Sequence, residues 1–169
     1  LVIRYVVNWG DGGSNTFNTS NLEEATHTYN DGVTNPVITV DLENVDGLHT
    51  GAGSLTGLEV INVAPTIALG GNSDVDEGSL YVLTLGVVTD PGNDTVEEFV
   101  VHWGDTSSDT YLIGDLPGNP NDRQVTHAYA DGVDFPTISV DVKDEDGTHE
   151  GSGSLALTVN DVSPMIALS

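Results

Sequence analysis

Tyr5–Gly12 reads YVVNWGDG, and Phe99–Thr106 reads FVVHWGDT. In both, alternate residues leading to the tryptophan are large and apolar: Tyr5, Val7 and Trp9 in one, Phe99, Val101 and Trp103 in the other. A period of two is the side-chain repeat of an extended chain, so each stretch predicts a strand with one face in a core. The matching continues outward. Residues 5–69 and 99–168 share THTYNDG with THAYADG, ITVDLENVDGLHTGAGSL with ISVDVKDEDGTHEGSGSL, and INVAPTIAL with NDVSPMIAL. Repetition of this kind predicts a modular array, in which each unit supplies the same small fold and neighbours supply reach; spacing, linking or display is the expected task.

The alignment sets the expected domains. Residues from Thr66 to Glu98 have only a short counterpart before Trp9, so residues 1–63 are expected to form a repeat without its opening strands. Residues 64–163 should form a complete repeat. Pro164–Ser169 resembles Pro65–Leu69 and is expected to be the first strand of a following repeat or a donor strand, which makes the chain an excerpt from a longer array.

Twenty-seven acidic residues against three basic ones give a formal charge of −24. Such a surface repels nucleic acid and anionic lipid and favours cations as partners. There is no cysteine, so disulfides contribute nothing. No apolar run is long enough to span a bilayer, so no membrane insertion is expected. Abundant Thr, Ser, Asp and Gly with few Lys resemble secreted bacterial repeats, and the expected location is extracellular or at the cell surface.

Further rows show the same alternation. Ile138, Val140 and Val142 interleave with Ser139, Asp141 and Lys143; Leu155, Leu157 and Val159 form another row, and Tyr81, Leu83, Leu85 and Val87 a third. DPGND, GDTSSD, PGNPND, YADG and EDGTHEG punctuate these runs as turns, and no window carries a helical period. The fold class expected is all-β, with about seven short antiparallel strands per unit in a β-sandwich. Within the WGD turns, Gly10 and Gly104 suit positive φ, and the following carboxylates can cap backbone amides. Tyr29 and Tyr129 are placed to hydrogen-bond back across a sandwich corner, alongside His27 and His127. Gly57, without a partner in the second copy, is expected to mark a bulge in the last strand of the first.

A strand ending in WGDG, then HTY before a turn, then ITVDLENVDG, resembles polycystic-kidney-disease (PKD) domains, immunoglobulin-like sandwiches with a WDFGDG-type turn and an HxY segment. Two residues between the tryptophan and glycine of that turn are absent here, and Thr106 stands where the second unit's final glycine would be. The combination NVAPTIAL, DEG, DPGND, WGD, HAYADG and DEDGTHEGSGSL is similar to tandem repeats of large bacterial surface proteins and adhesins. Fold is what this resemblance implies; a shared fold does not name a ligand.

Calcium prefers several hard oxygen ligands, and loops at a sandwich end gather them from distant positions. Asp144, Glu145 and Asp146 lie in one turn, and Asn160 with Asp161 at a strand exit before Pro164. A DxD turn, an NDxxP exit and an early glutamate in the next domain resemble cadherin linkers; by that resemblance Glu77 would serve the junction between the two units with Asp46, Asn44 and Asn62. That junction is poorer in charge, since Asn44 replaces Asp144, and Ile61–Asn62 replaces Asn160–Asp161. The Asp90, Asn93, Asp94 loop is a second candidate, for chelation or simply for Asx turns. All these acids equally suit a solvated surface. His49 and His149 read as packing or hydrogen-bonding residues, because hard cations seldom take imidazole.

No enzyme is expected: His127 and Asp131 recur as His27 and Asp31, without a nucleophile elbow or oxyanion motif. The reading is a structural repeat segment of an extracellular surface protein, adhesin or fibre, with calcium stiffening domain junctions and neighbouring repeats as partners. Two alternatives stay open. One is a glycan- or protein-binding module using the Leu112–Arg123 insertion; the other is a filament subunit whose PMIALS tail adds a strand to a neighbour.

Overall fold

The computed structural model describes residues 1–18, 24–32, 34–119 and 121–166. Pro120 of the Leu112–Arg123 insertion and residues 167–169 of the tail segment lie outside them. The chain divides into two compact units, Leu1–Val63 and Ala64–Ser169. Both are built from strands, and among the described residues there is no helix.

Unit 1 holds β1 (Val2–Asn8), β2 (Ser14–Asn18), β3 (Ile38–Asn44) and β4 (Gly47–Leu55), in one antiparallel sheet of order β2-β1-β3-β4. Tyr5 pairs with Phe17 on one side and Leu42 on the other, and Val7 with Val40, so the period-two apolar residues share a face. The Tyr5 and Phe17 rings stack at 5.1 Å.

Unit 2 holds β5 (Thr66–Gly70), β6 (Asp74–Asp76), β7 (Leu80–Thr89), β8 (Glu98–His102), β9 (Ser108–Leu112), β10 (Arg123–Ala128), β11 (Thr137–Asp144), β12 (Gly147–Ala156) and β13 (Thr158–Asn160). A sheet of order β12-β11-β8-β9 repeats the arrangement of unit 1. A second sheet, β10-β7-β5, lies over it. Ile67, Tyr81, Leu83, Leu85 and Val125 from one sheet, with Phe99, Val101, Trp103, Ile138, Val140 and Val142 from the other, form one buried cluster. Unit 2 is thus a β-sandwich whose alternating residues fill the space between two sheets.

Several expectations need correction. Among the described residues the strands are four in unit 1 and nine in unit 2, and not all are antiparallel, because β13 pairs with β6 in parallel. Val87 is 47% exposed, and Val88 packs on the core in its place. The β5–β7 register shifts between Ile67 and Leu69, matching Val88 and Leu85, so the bulge reverses which residues of β7 face inward. Gly57 lies beyond the end of β4. The bulge of that hairpin sits instead at Gly51, where the register shifts between Val40 and Leu42 and the Asp41 carboxylate accepts the Gly51 amide at 2.7 Å. Unit 2 repeats it, with Gly151 donating to Asp141 at 2.8 Å.

The WGD corner is built alike in both units. Tyr29 donates its hydroxyl to the Trp9 carbonyl at 2.8 Å, and Tyr129 to the Trp103 carbonyl at 2.9 Å. His27 stacks on Trp9 and His127 on Trp103, at ring separations of 4.8 and 4.7 Å. Each histidine also meets the turn carboxylate, Asp11 at 2.6 Å and Asp105 at 2.7 Å. Gly104 has φ +84, and a side chain there would come within 2.7 Å of the Thr137 carbonyl, so the corner demands glycine twice over. These histidines and aspartates brace a corner.

Candidate metal centre

Period-two alternation does not stop at the end of β11. Ile138, Val140 and Val142 face the core, and the next residue in phase is Asp144, which is 2% exposed. Burial of a carboxylate is costly unless it is hydrogen-bonded or meets a cation. One half of Asp144 is satisfied locally: Oδ1 accepts the amides of Asp146 at 2.9 Å and Gly147 at 3.1 Å, closing the DEDG turn. Oδ2 is not. His149 Nε2 lies 2.8 Å from it, close enough for a charge contact, yet the approach is not directed as a hydrogen bond and both atoms remain unsatisfied.

The loop after β7 brings two more carboxylates to the same place. Asp90 ends the strand run, Pro91 breaks it, and Asp90 Oδ1 accepts the Gly92 amide at 2.6 Å, an Asx turn. Gly92 carries no side chain where a Cβ would stand 2.9 Å from Asp94 Oδ1, which lets Asp94 fold back toward Asp90. Glu145 Oε2 accepts the Thr95 amide at 2.6 Å and ties this loop to the DEDG turn. As a result Asp90, Asp94 and Asp144 each place a carboxylate oxygen within 4.8 Å of the others.

Asp90 Oδ2, both oxygens of Asp94 and Asp144 Oδ2 are all buried without a hydrogen bond. Burial first, then the charges of Asp90, Asp144, Asp146 and Glu145, push the Asp94 carboxyl up to about 6. Asp90, Asp94 and Asp144 repel one another, and each has a buried oxygen without a donor, which is the condition a cation relieves. The fit to calcium is geometric as well. Ca–O bonds run about 2.3–2.6 Å, so two oxygens on one ion are at most about 5 Å apart. The 4.8 Å limit satisfies that. All donors are hard oxygens, with no thiolate in the chain to select a softer metal.

The remaining sites named from the sequence lie elsewhere, apart from Asp146, which is exposed in the same turn as Asp144. Glu77 is held within unit 2 by two amides, Oε2 accepting from Gly132 at 2.6 Å and Oε1 from Val162 at 2.9 Å. Those bonds, from Val162 first, then Gly132, hold its carboxyl below the ordinary range. Glu77 precedes β7 and Asp90 follows it; a strand of 10 residues separates them, roughly 30 Å of extended chain. Asp161 is exposed beyond β13, and Asn160 Nδ2 donates to Asp76 at 3.2 Å in its own unit. In unit 1, Asp46 is exposed in the turn after β3, its amide donating to Asn44 at 2.8 Å. Asn62 sits at the opposite end of β3, against Gly32. The structure therefore unites the two candidates that the sequence kept apart, the Asp144 turn and the Asp90–Asp94 loop. It does not bring Glu77 to Asp144, nor Asp46 to Asn62.

No family model matches the chain, and no curated protein matches it. Among solved structures, a cohesin module of a family 33 glycoside hydrolase from Clostridium perfringens is similar over 59% of this chain and 98% of its own length, with TM-score 0.38 and 14% identity. No helix among the described residues is long and apolar enough to cross a membrane.

Proposed function

We propose that this chain is a structural segment of a bacterial extracellular surface protein, adhesin or fibre, built of PKD-like β-sandwich repeats, and that unit 2 binds calcium through Asp90, Asp94 and Asp144. The observation that carries the metal reading is the set of buried, hydrogen-bond-free carboxylate oxygens converging from two loops. A cation there neutralises mutual repulsion and cross-links the β7–β8 loop to the β11–β12 turn, so the ion works as a staple of the sandwich end. The charge of −24 and the repeated sequence support the placement in a cation-rich exterior and the spacing role.

In this reading the protein is not an enzyme. The two histidines of the WGD corners are engaged in the scaffold: His27 and His127 stack on tryptophans and face Asp11 and Asp105. The test is calorimetric titration of the metal-free chain with calcium, with magnesium as control. One saturable calcium site on the wild type, lost in Asp90→Asn/Asp94→Asn, supports the reading. No heat and no change in melting with calcium overturns it.

A further inference from the structure

We propose that unit 2 carries tension along the chain, and that what resists it is a clamp made of the parallel pair β6–β13 with the Glu77 carboxylate tied across it. The clamp rests on the structural role proposed above; calcium plays no part in it. The pairing itself is the observation that carries this: Thr158 matches Asp74, Val159 matches Val75 and Asn160 matches Asp76, all in parallel. The chain enters unit 2 ahead of β6 and leaves it after β13. Because the two strands run the same way, the entering end of one and the leaving end of the other lie at opposite ends of the pair. Tension between them slides one strand along the other and strains the joining bonds together, whereas an antiparallel pair would bring those two ends side by side and open one bond at a time.

Entry and exit are set apart accordingly. Thr66 pairs with Thr89 at the finish of β7, while Glu77, bonded to Asn160, precedes its start, so a strand of 10 residues, roughly 30 Å, lies between the two. The segment is held at each step. Tyr81, 2% exposed, donates its hydroxyl to the Asn72 carbonyl at 3.1 Å and fixes the link from β5 to β6. Thr158 donates its amide to the Ser73 carbonyl at 3.0 Å, and Glu77 its amide to the Asn160 carbonyl at 2.9 Å, which closes both ends of the pair. On its other side β13 exchanges two bonds between Val159 and Asp134, at 2.9 and 3.2 Å, and Val159 is fully buried. The Glu77 carboxylate adds a tie that strand pairing lacks. It accepts the Gly132 amide at 2.6 Å and the Val162 amide at 2.9 Å, so the chain stays fastened beyond the end of β13. Bonds to an ionised acceptor are roughly twice as strong as neutral ones.

The test is single-molecule force spectroscopy on the whole chain in EDTA. The chain has no cysteine, so exposed positions can take thiol handles. Ala64→Cys with Ser163→Cys loads unit 2 from entry to exit and leaves unit 1 outside the stretched path. Ser79→Cys with Ser163→Cys, both at one end of the β6–β13 pair, peels β13 away instead. Rupture in the first geometry should need about twofold the force of the second at one pulling speed, and Glu77→Ala should lower the first by about a third while leaving the second nearly unchanged. Equal forces in the two geometries overturn the proposal, whether or not Glu77→Ala folds. A fall in both alike would mean that Glu77→Ala only weakens the fold, and an unchanged first force that Glu77 bears no strain; either overturns the clamp. A calcium titration without heat would refute the metal reading while these forces stand, so the two failures are told apart.

Discussion

Asp144→Asn should raise the stability of the metal-free protein and abolish its response to calcium. The turn itself tolerates the change: unit 1 carries Asn44 at this position, and its Oδ1 accepts the Asp46 amide at 2.8 Å as Asp144 Oδ1 accepts Asp146 at 2.9 Å. What changes is charge. Two unit charges 4.8 Å apart interact by about 3.5 kcal/mol at an effective dielectric of 20, and about 0.9 kcal/mol at that of water. With Asp90 and Asp94 both near, relief of about 1–3 kcal/mol is reasonable, less up to about 1 kcal/mol for the lost contact with His149. A net gain of about 1–2 kcal/mol would raise Tm by about 4–8 °C for a unit this size. In calcium the order inverts, because the wild type gains about 2.7 kcal/mol at a hundred times Kd and the variant gains little. The assay is thermal and urea unfolding of both proteins at pH 7.5, in EDTA and in calcium. A variant that is less stable than wild type in EDTA and still stabilised by calcium would refute the reasoning.

Three further outcomes are expected. The Asp94 carboxyl is held at about 6 when folded against 3.8 when unfolded, so the folded state holds the proton more tightly. That contribution to stability is present in full below about pH 4 and lost as pH rises through about 6, about 2 kcal/mol in all after allowance for screening; urea unfolding in EDTA at pH 5 and 7.5 should show part of that fall in wild type and a smaller one in Asp94→Asn. Tyr129→Phe leaves the Trp103 carbonyl without its 2.9 Å donor in a buried corner and should cost about 1–3 kcal/mol by chemical denaturation, more than Tyr29→Phe at the half-buried corner of unit 1. Thr106→Gly should stabilise by about 1 kcal/mol, because Thr106 adopts φ 76 where unit 1 has Gly12 at φ 91; a loss of stability on the same assay would count against that strain.

Alternation made the strands legible. Tyr5, Val7 and Trp9, and their copies at Phe99, Val101 and Trp103, form β1 and β8 because a period of two has one structural meaning. Phase was harder. Val87 continues the row of Tyr81, Leu83 and Leu85 along the chain, but the bulge opposite Ile67 and Leu69 turns Val88 inward, and a bulge depends on the partner strand. The same limit applies to the acids. Asp90, Asp94 and Asp144 are each visible as candidates, but their meeting depends on β7 and β11 ending at the same side of the sandwich, which spacing along the chain does not encode. Glu77 misleads for the opposite reason. Its role is to cap the amides of Gly132 and Val162, two positions far along the sequence that only the folded unit brings to it. Pattern alone does carry one further signal: the row Ile138, Val140, Val142 extends in phase to Asp144, which marks that aspartate as inward-facing.

The duplicated turn separates two explanations for that buried aspartate. If Asp144 existed to close the DEDG turn, its charge would be essential to the geometry. Asn44 closes the matching turn of unit 1 with the same amide contact and no charge, so a neutral residue suffices. The charge at Asp144 is therefore surplus to the turn, sits 2% exposed, and faces two further carboxylates, each with a buried oxygen that has no donor. Uncompensated, such a group only destabilises the fold. Its retention beside Asp90 and Asp94 makes physical sense when a cation shares the site. Unit 1 supplies the converse, since the position that carries no charge there belongs to a turn whose Asp46 is exposed to solvent. Restoring the charge with Asn44→Asp should accordingly leave calcium affinity unchanged, because one carboxylate in a solvated turn lacks the converging partners that make three of them a site.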